Sequence, residues 1–158
     1  MFERFSSGAR QTVIHASGES ARAAHGVVDD VHLLLGLLNE PDDSAGGVLR
    51  DHGASLADLR ARVQDLPIPA VAPPRRGVLR LPLRSGHRPF TPAAKRSLAG
   101  ALHVAVGRRE RSIGSCHVLI SLLDTEDGAA RRLLTDAGVD VRALRTAAER
   151  RLGATQGD

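Results

Sequence analysis

Residues 32–38, His32-Leu33-Leu34-Leu35-Gly36-Leu37-Leu38, return 85 positions later as His117-Val118-Leu119-Ile120-Ser121-Leu122-Leu123. Leu33, Leu34, Leu37 and Leu38, like Val118, Leu119, Leu122 and Leu123, recur at the spacing of one buried helical stripe. The same 85-residue shift aligns Phe5 to Gln64 with Phe90 to Glu149 without a gap. It pairs Phe5 with Phe90, Ala9 with Ala94, Ala16 with Ala101, Leu49 with Leu134, Gly53 with Gly138 and Arg60 with Arg145. Conservative pairs such as Arg10/Lys95 and Val28/Ile113 fill the intervals. Leucine matches alone could be chance in such a chain, but paired Phe, His and Gly at one register indicate two copies of one module.

Helical punctuation repeats with the module. Ser6 and Thr91 read as N-caps, Thr91 being followed by Pro92 in the first-turn position that proline favours. The first helix is expected to run to about His25 and Glu110, and the second to start near Asp29 and Ser112. A third, from about Asp43 and Asp127, stops at Gly53 and Gly138, the residue type that takes the left-handed position after a helix at least cost. Ser55 and Asp140 cap a fourth. Four helices per copy, short connections and almost no β-branched alternation predict an all-α fold of two four-helix repeats packed as one bundle. The expected boundaries are 1–65 for the first repeat, 66–89 for a linker, 90–152 for the second repeat and 153–158 for a tail.

The linker holds six of the eight prolines, which forbids a helix there. From Leu66 to Arg109 there is no Asp or Glu, while Arg75, Arg76, Arg80, Arg84, Arg88, Lys95, Arg96, Arg108 and Arg109 supply nine positive charges. The net charge of +4 is therefore uneven, with acidic flanks around a basic stretch. That stretch reads either as a solvated loop or as an electrostatic contact for an acidic partner, whose binding would weaken with salt. A regulator that touches nucleic acid or another polyanion through segment 75–96 is the competing functional reading.

Several chemistries find no anchor. The only lysine, Lys95, follows Ala94, so no Gly-Lys step of a phosphate-binding P-loop exists. No G-x-G-x-x-G turn follows a strand, and no G-x-S-x-G elbow occurs. The seven histidines include no pair at i, i+3 or i, i+4, which argues against a helical metal face. One cysteine, Cys116, excludes an internal disulfide. Three aromatic residues, Phe2, Phe5 and Phe90, are too few for a base-stacking platform. Cys116 beside His117 invites a thiol and a base, but adjacent helical residues diverge by roughly 100°. The cysteine therefore reads as a packed small residue and His32 and His117 as packed, hydrogen-bonded residues. No enzyme, cofactor or metal is expected. The charged start, Met1 to Arg10, lacks the apolar run of a signal peptide, so a cytoplasmic protein is expected.

Met1-Phe2-Glu3-Arg4-Phe5-Ser6 closely resembles the opening of the Clp unfoldase N-terminal domain, particularly of the ClpC type. The 32–38 run resembles that family's E-H-x-L-L-G-L helix, Pro89-Phe90-Thr91-Pro92-Ala93-Ala94-Lys95 its P-F-T-P-x-A-K start of the second repeat, and Ile113-Gly114-Ser115-Cys116-His117 a variant of its I-G-T-E-H. The resemblance covers residues 1 to about 152. It implies a pseudo-twofold bundle of eight helices, which in the family precedes ATPase modules and receives adaptors and protein substrates. These 158 residues contain no ATPase module, which resembles the stand-alone N-domain proteins and implies an accessory that binds clients, adaptors, a Clp ATPase or a ligand.

Some ClpC-type domains recognise phosphorylated arginine, with the phosphate at the start of each repeat's first helix and the guanidinium on the Glu of the E-H motif. Ser6 and Thr91 match the phosphate side, and a hydroxyl beside unpaired helix N–H groups suits an anion. Val31 and Cys116 stand where the acids belong. Each missing charge-assisted partner costs on the order of 1.5–3 kcal/mol, so phosphoarginine recognition is expected to be lost. The surface near Phe2, Phe90 and Lys95 resembles the patch that accepts peptidic ligands, including cyclic peptide antibiotics. Phenylalanine beside lysine suits an apolar peptide carrying a carbonyl or acidic feature.

Overall fold

The computed structural model of the chain describes residues 3–42, 44–68 and 88–155. Among these lie eight α-helices and no strand: α1 (Ser7–Arg22), α2 (Asp30–Leu38), α3 (Ala45–Asp51), α4 (Leu56–Gln64), α5 (Pro92–Gly107), α6 (Ser115–Asp124), α7 (Ala129–Asp136) and α8 (Val141–Thr155). A shift of 85 lays α5 on α1 residue for residue and α6 and α7 on α2 and α3 within one, while α8 starts opposite α4 and runs longer.

The order of burial follows from the sequence. Every residue of α2 and Cys116 to Leu123 of α6 are buried, the pattern of a helix covered on all sides. Helix α2 packs on α1, α3 and α4 of its own repeat and on α5, α6 and α7 of the other. Helix α6 packs on α5, α7 and α8, and across the repeat boundary on α1, α2 and α3. These two leucine-rich helices are thus the shared centre, and each buried Leu contributes about 1.5–3 kcal/mol. Close approach needs small residues. A Cβ on Gly36 would collide with the Thr12 carbonyl of α1, and in the second repeat one on Gly100 of α5 would collide with the Ser121 hydroxyl of α6.

Helix ends differ by a few residues from the sequence expectation, for a stated reason. Helices α1 and α5 end at Arg22 and Gly107 rather than His25 and Glu110, because the chain enters the left-handed region at Ala24 (φ +59°) and Arg109 (φ +60°). There His25 N–H bonds the Ser20 carbonyl and Glu110 N–H the Ala105 carbonyl, closing each last turn. Gly53 and Gly138, at φ +89° and +83°, end α3 and α7 as expected. Helix α6 begins after Gly114 rather than near Ser112, because the His117 ring accepts the Gly114 N–H at 2.8 Å. Helix α3 begins at Ala45, and Asp43, its expected start, lies outside the described residues.

The repeats interlock by exchanging contacts. Phe5 pairs with Ile113 and Phe90 with Val28 in two isolated β-bridges, each joining one repeat's entry to the segment that leads into the other's second helix. Caps are exchanged too: Ser115 Oγ accepts the Ala45 N–H of α3, and Asp30 Oδ2 accepts the Ala130 N–H of α7, both at 3.2 Å. The Asp30 cap matters because Gly128, at the N-cap of α7, has no side chain.

Candidate functional site

The exchanged bridges decide which predicted residues meet. Because Phe5 pairs with Ile113, the start of α1 faces the start of α6, so Ser6 and Cys116 line one cleft of about 380 Å³. Ser44, Ser112, Ser115 and Thr155 add hydroxyls to its wall, and Glu40, Glu110 and Arg151 add charge. Ser6 Oγ caps α1 by accepting the Ala9 N–H at 3.1 Å. Arg151 of α8 reaches the Asp42 carbonyl at 3.4 Å and lies near enough to pull on the Cys116 titration.

Cys116 is 5% exposed, and burial pushes its thiol up to about 11. A thiol held protonated and covered is no nucleophile. His117 cannot serve as its base either, since its Nδ1 accepts the Gly114 N–H and its Nε2 lies 2.9 Å from Glu110 Oε2. Burial holds His117 below the ordinary imidazole value, with Glu110 opposing. Glu110 is gripped from its other oxygen by Arg108 at 2.7 Å.

The second start is built differently. Thr91 Oγ1 accepts the Ala94 N–H at 3.1 Å, as Ser6 does for Ala9, but also donates to Asp29 Oδ1 at 2.6 Å. The residue equivalent to Asp29 in the second repeat is Gly114, which has no side chain to offer. The start of α5 therefore has the Asp29 carboxylate on its cap, while the start of α1 opens onto the cleft, where the Glu40 carboxylate stands close to Gly8. Val31 is fully buried in the first turn of α2. Asp30 is 2% exposed, and burial, with Asp29 beside it, raises its carboxyl to about 6.

Of the remaining predicted residues, Phe90 is half-buried and packs against the core, and Lys95 is exposed one turn into α5. Arg88 is tied down, donating Nε to the His25 carbonyl at 2.9 Å. Phe2, Arg75, Arg76, Arg80 and Arg84 lie outside the described residues. Asp29 and Arg151 escaped the sequence reading. The Asp29/Gly114 mismatch was visible at the 85-residue register, whereas Arg151 reaches the cleft only through the packing of α8. Among the described residues no helix is long and apolar enough to cross a membrane.

Comparison with known proteins finds relatives that span nearly all of the chain. The sequence pattern of the Clp repeat (R) N-terminal domain matches residues 4–71 and 89–158. Chaperone protein ClpC2, chloroplastic, of Oryza sativa subsp. japonica is 34% identical over 155 residues, which are 98% of this chain and 16% of that protein. Chaperone protein ClpC1, chloroplastic, of Arabidopsis thaliana is 34% identical over 153 residues, 97% of this chain and 15% of its own length. The crystal structure of the N-terminal domain of the caseinolytic protease associated chaperone ClpD from Arabidopsis thaliana superposes with a TM-score of 0.78 at 26% identity, covering 96% of this chain and 99% of that one. The chain thus spans about a sixth of the length of the curated relatives it matches.

Proposed function

Since the chain belongs to the Clp repeat N-terminal domain family, we propose that it is a non-enzymatic protein- and peptide-binding module of a Clp chaperone and protease system. It works in the cytoplasm as an accessory, an adaptor-binding or a ligand-sequestering protein, and it does not recognise phosphoarginine. One observation carries the last point: in the cleft at the start of α1 the acid position is Cys116, the nearby Glu110 being already engaged by Arg108 and His117, and the start of α5 holds Asp29. A guanidinium finds no carboxylate at either acid position, and at Thr91 a phosphate meets like charge. A peptide carbonyl, by contrast, suits the N-terminal end of α1 beside the Ser6 hydroxyl.

The test is binding of an unfolded polypeptide such as reduced, carboxymethylated casein, followed by calorimetry. Replacing Phe2 and Lys95 by Ala should weaken it about tenfold, and melting curves should show the protein still folded, Lys95 being exposed. Unchanged affinity rejects the patch. The acid-free stretch from Leu66 to Arg109 supports a second reading, contact with a polyanion through segment 75–96. A steep loss of binding with rising salt separates it from peptide capture.

A further inference from the structure

The duplication supplies an internal control, since residues that differ at equivalent exposed positions of α1 and α5 are not demanded by a fold both helices share. On α5, Pro92, Lys95, Ala99, His103 and Val106 are all exposed. At about 100° per residue they fall within about 80° of arc, a single stripe about 20 Å long. The matching stripe on α1 is Ser7, Arg10, Ile14, Gly18 and Ala21. Repeat two thus places His103 and Val106 where repeat one has Gly18 and Ala21, and flanks the stripe with Arg96 in place of Gln11. Just past the helix it sets exposed Arg109 and Arg111 where repeat one has Ala24 and Gly26.

Two features give this face a chemical preference. Val106 is 54% exposed, one of two large hydrophobic side chains left uncovered among the described residues. No acid occurs on α5, and Glu110, beyond it, is turned inward onto Arg108 and His117. A stripe with cations at both ends and an exposed apolar residue on it is complementary to a segment that is apolar along one line and acidic beside it.

We propose that the outer face of α5 is a docking surface for an acidic amphipathic protein helix, with Val106 as the apolar contact and Lys95, Arg96, Arg109 and Arg111 as the charged rim. This rests on the protein-binding reading above and names the chemistry of one partner. A nucleic acid would use the charges and have no need of Val106.

The test uses the full chain and three probes: a helical peptide of about 15 residues with Leu along one stripe and Glu beside it, polyglutamate of similar length, and a short DNA duplex. The amphipathic peptide should bind best. Val106→Ser should weaken it about tenfold, and Arg96→Glu with Arg109→Glu by about as much again, while Val106→Ser, about 16 Å along α5 from Lys95, still binds casein. Ile14→Ser on the equivalent helix should have no effect on this peptide. Equal binding of polyglutamate or DNA, indifference to Val106→Ser, or no binding of the amphipathic peptide overturns the proposal. Loss of casein binding in the unaltered protein would instead count against the broader reading.

Discussion

His32 Nε2 lies 2.9 Å from His25 Nδ1, and the two rings form a buried pair at the start of the central helix α2. His32 Nδ1 accepts the Asp29 N–H at 2.8 Å, so the neutral ring carries its proton on Nε2 and donates it to His25. A second proton on either ring would break one of these bonds or set N–H against N–H. The equivalent pair in the second repeat is His117 with Glu110, where a carboxylate replaces the accepting imidazole.

This pair sets the response to acid. Burial, reinforced by His25, depresses His32 to about 4, and burial also lowers His25. For a base depressed in the folded state, the unfolded chain binds more protons between the two values, so stability is present above about 6.5 and lost as pH falls through about 4. Asp30, raised to about 6, runs the other way, contributing below its ordinary carboxylate value and losing that contribution as pH rises through 6. With His117 also lowered, three imidazoles oppose one carboxylate, and stability should rise with pH from 4 to 6.5. His32→Gln keeps a side chain able to accept the Asp29 N–H and removes one titration. Urea unfolding at a series of pH values should show a shallower slope in this variant.

Ala24 occupies a left-handed position at φ +59° that glycine takes without strain. Ala24→Gly should therefore stabilise the protein by up to about 1 kcal/mol, whereas Ala21→Gly inside α1 should destabilise it by about 0.5–1 kcal/mol. Thermal melts of the two variants should move in opposite directions.

Gly36 meets the α1 backbone directly, while Gly18 on the outside of α1 has open space around its Cβ position. Gly36→Ala should cost about 1–3 kcal/mol by forcing α1 from α2, and Gly18→Ala should gain about 0.5–1 kcal/mol from helix propensity. Denaturant midpoints report both.

Cys116→Glu restores an acid beside the open start of α1. Phosphoarginine affinity should rise at least about tenfold in this variant and not in Cys116→Gln, which lacks the charge. Calorimetry against free phosphoarginine measures it, with melting curves checking that each variant is folded.

Most of the fold was legible because a duplicated sequence states its register twice. The paired Phe5/Phe90, His32/His117 and Gly53/Gly138 placed every helix, and two of the positive-φ residues were the glycines expected. Ala24 and Arg109 were not legible as helix ends, since neither residue type signals a left-handed turn. The site was legible as residue types and illegible as neighbours. Ser6 lines one cleft with Cys116, and Thr91 bonds Asp29, only because the repeats exchange their β-bridges, a long-range relation that local spacing does not carry.

The central claim is that the helix starts bind peptide and not phosphoarginine, and amide NMR of the labelled chain reads both at once. Titration with reduced, carboxymethylated casein should shift the signals of Ser6, Gly8 and Lys95, and millimolar phosphoarginine should leave them in place. Phosphoarginine shifts confined to Ser6, Gly8 and Cys116, or casein that moves none of these signals, would contradict it.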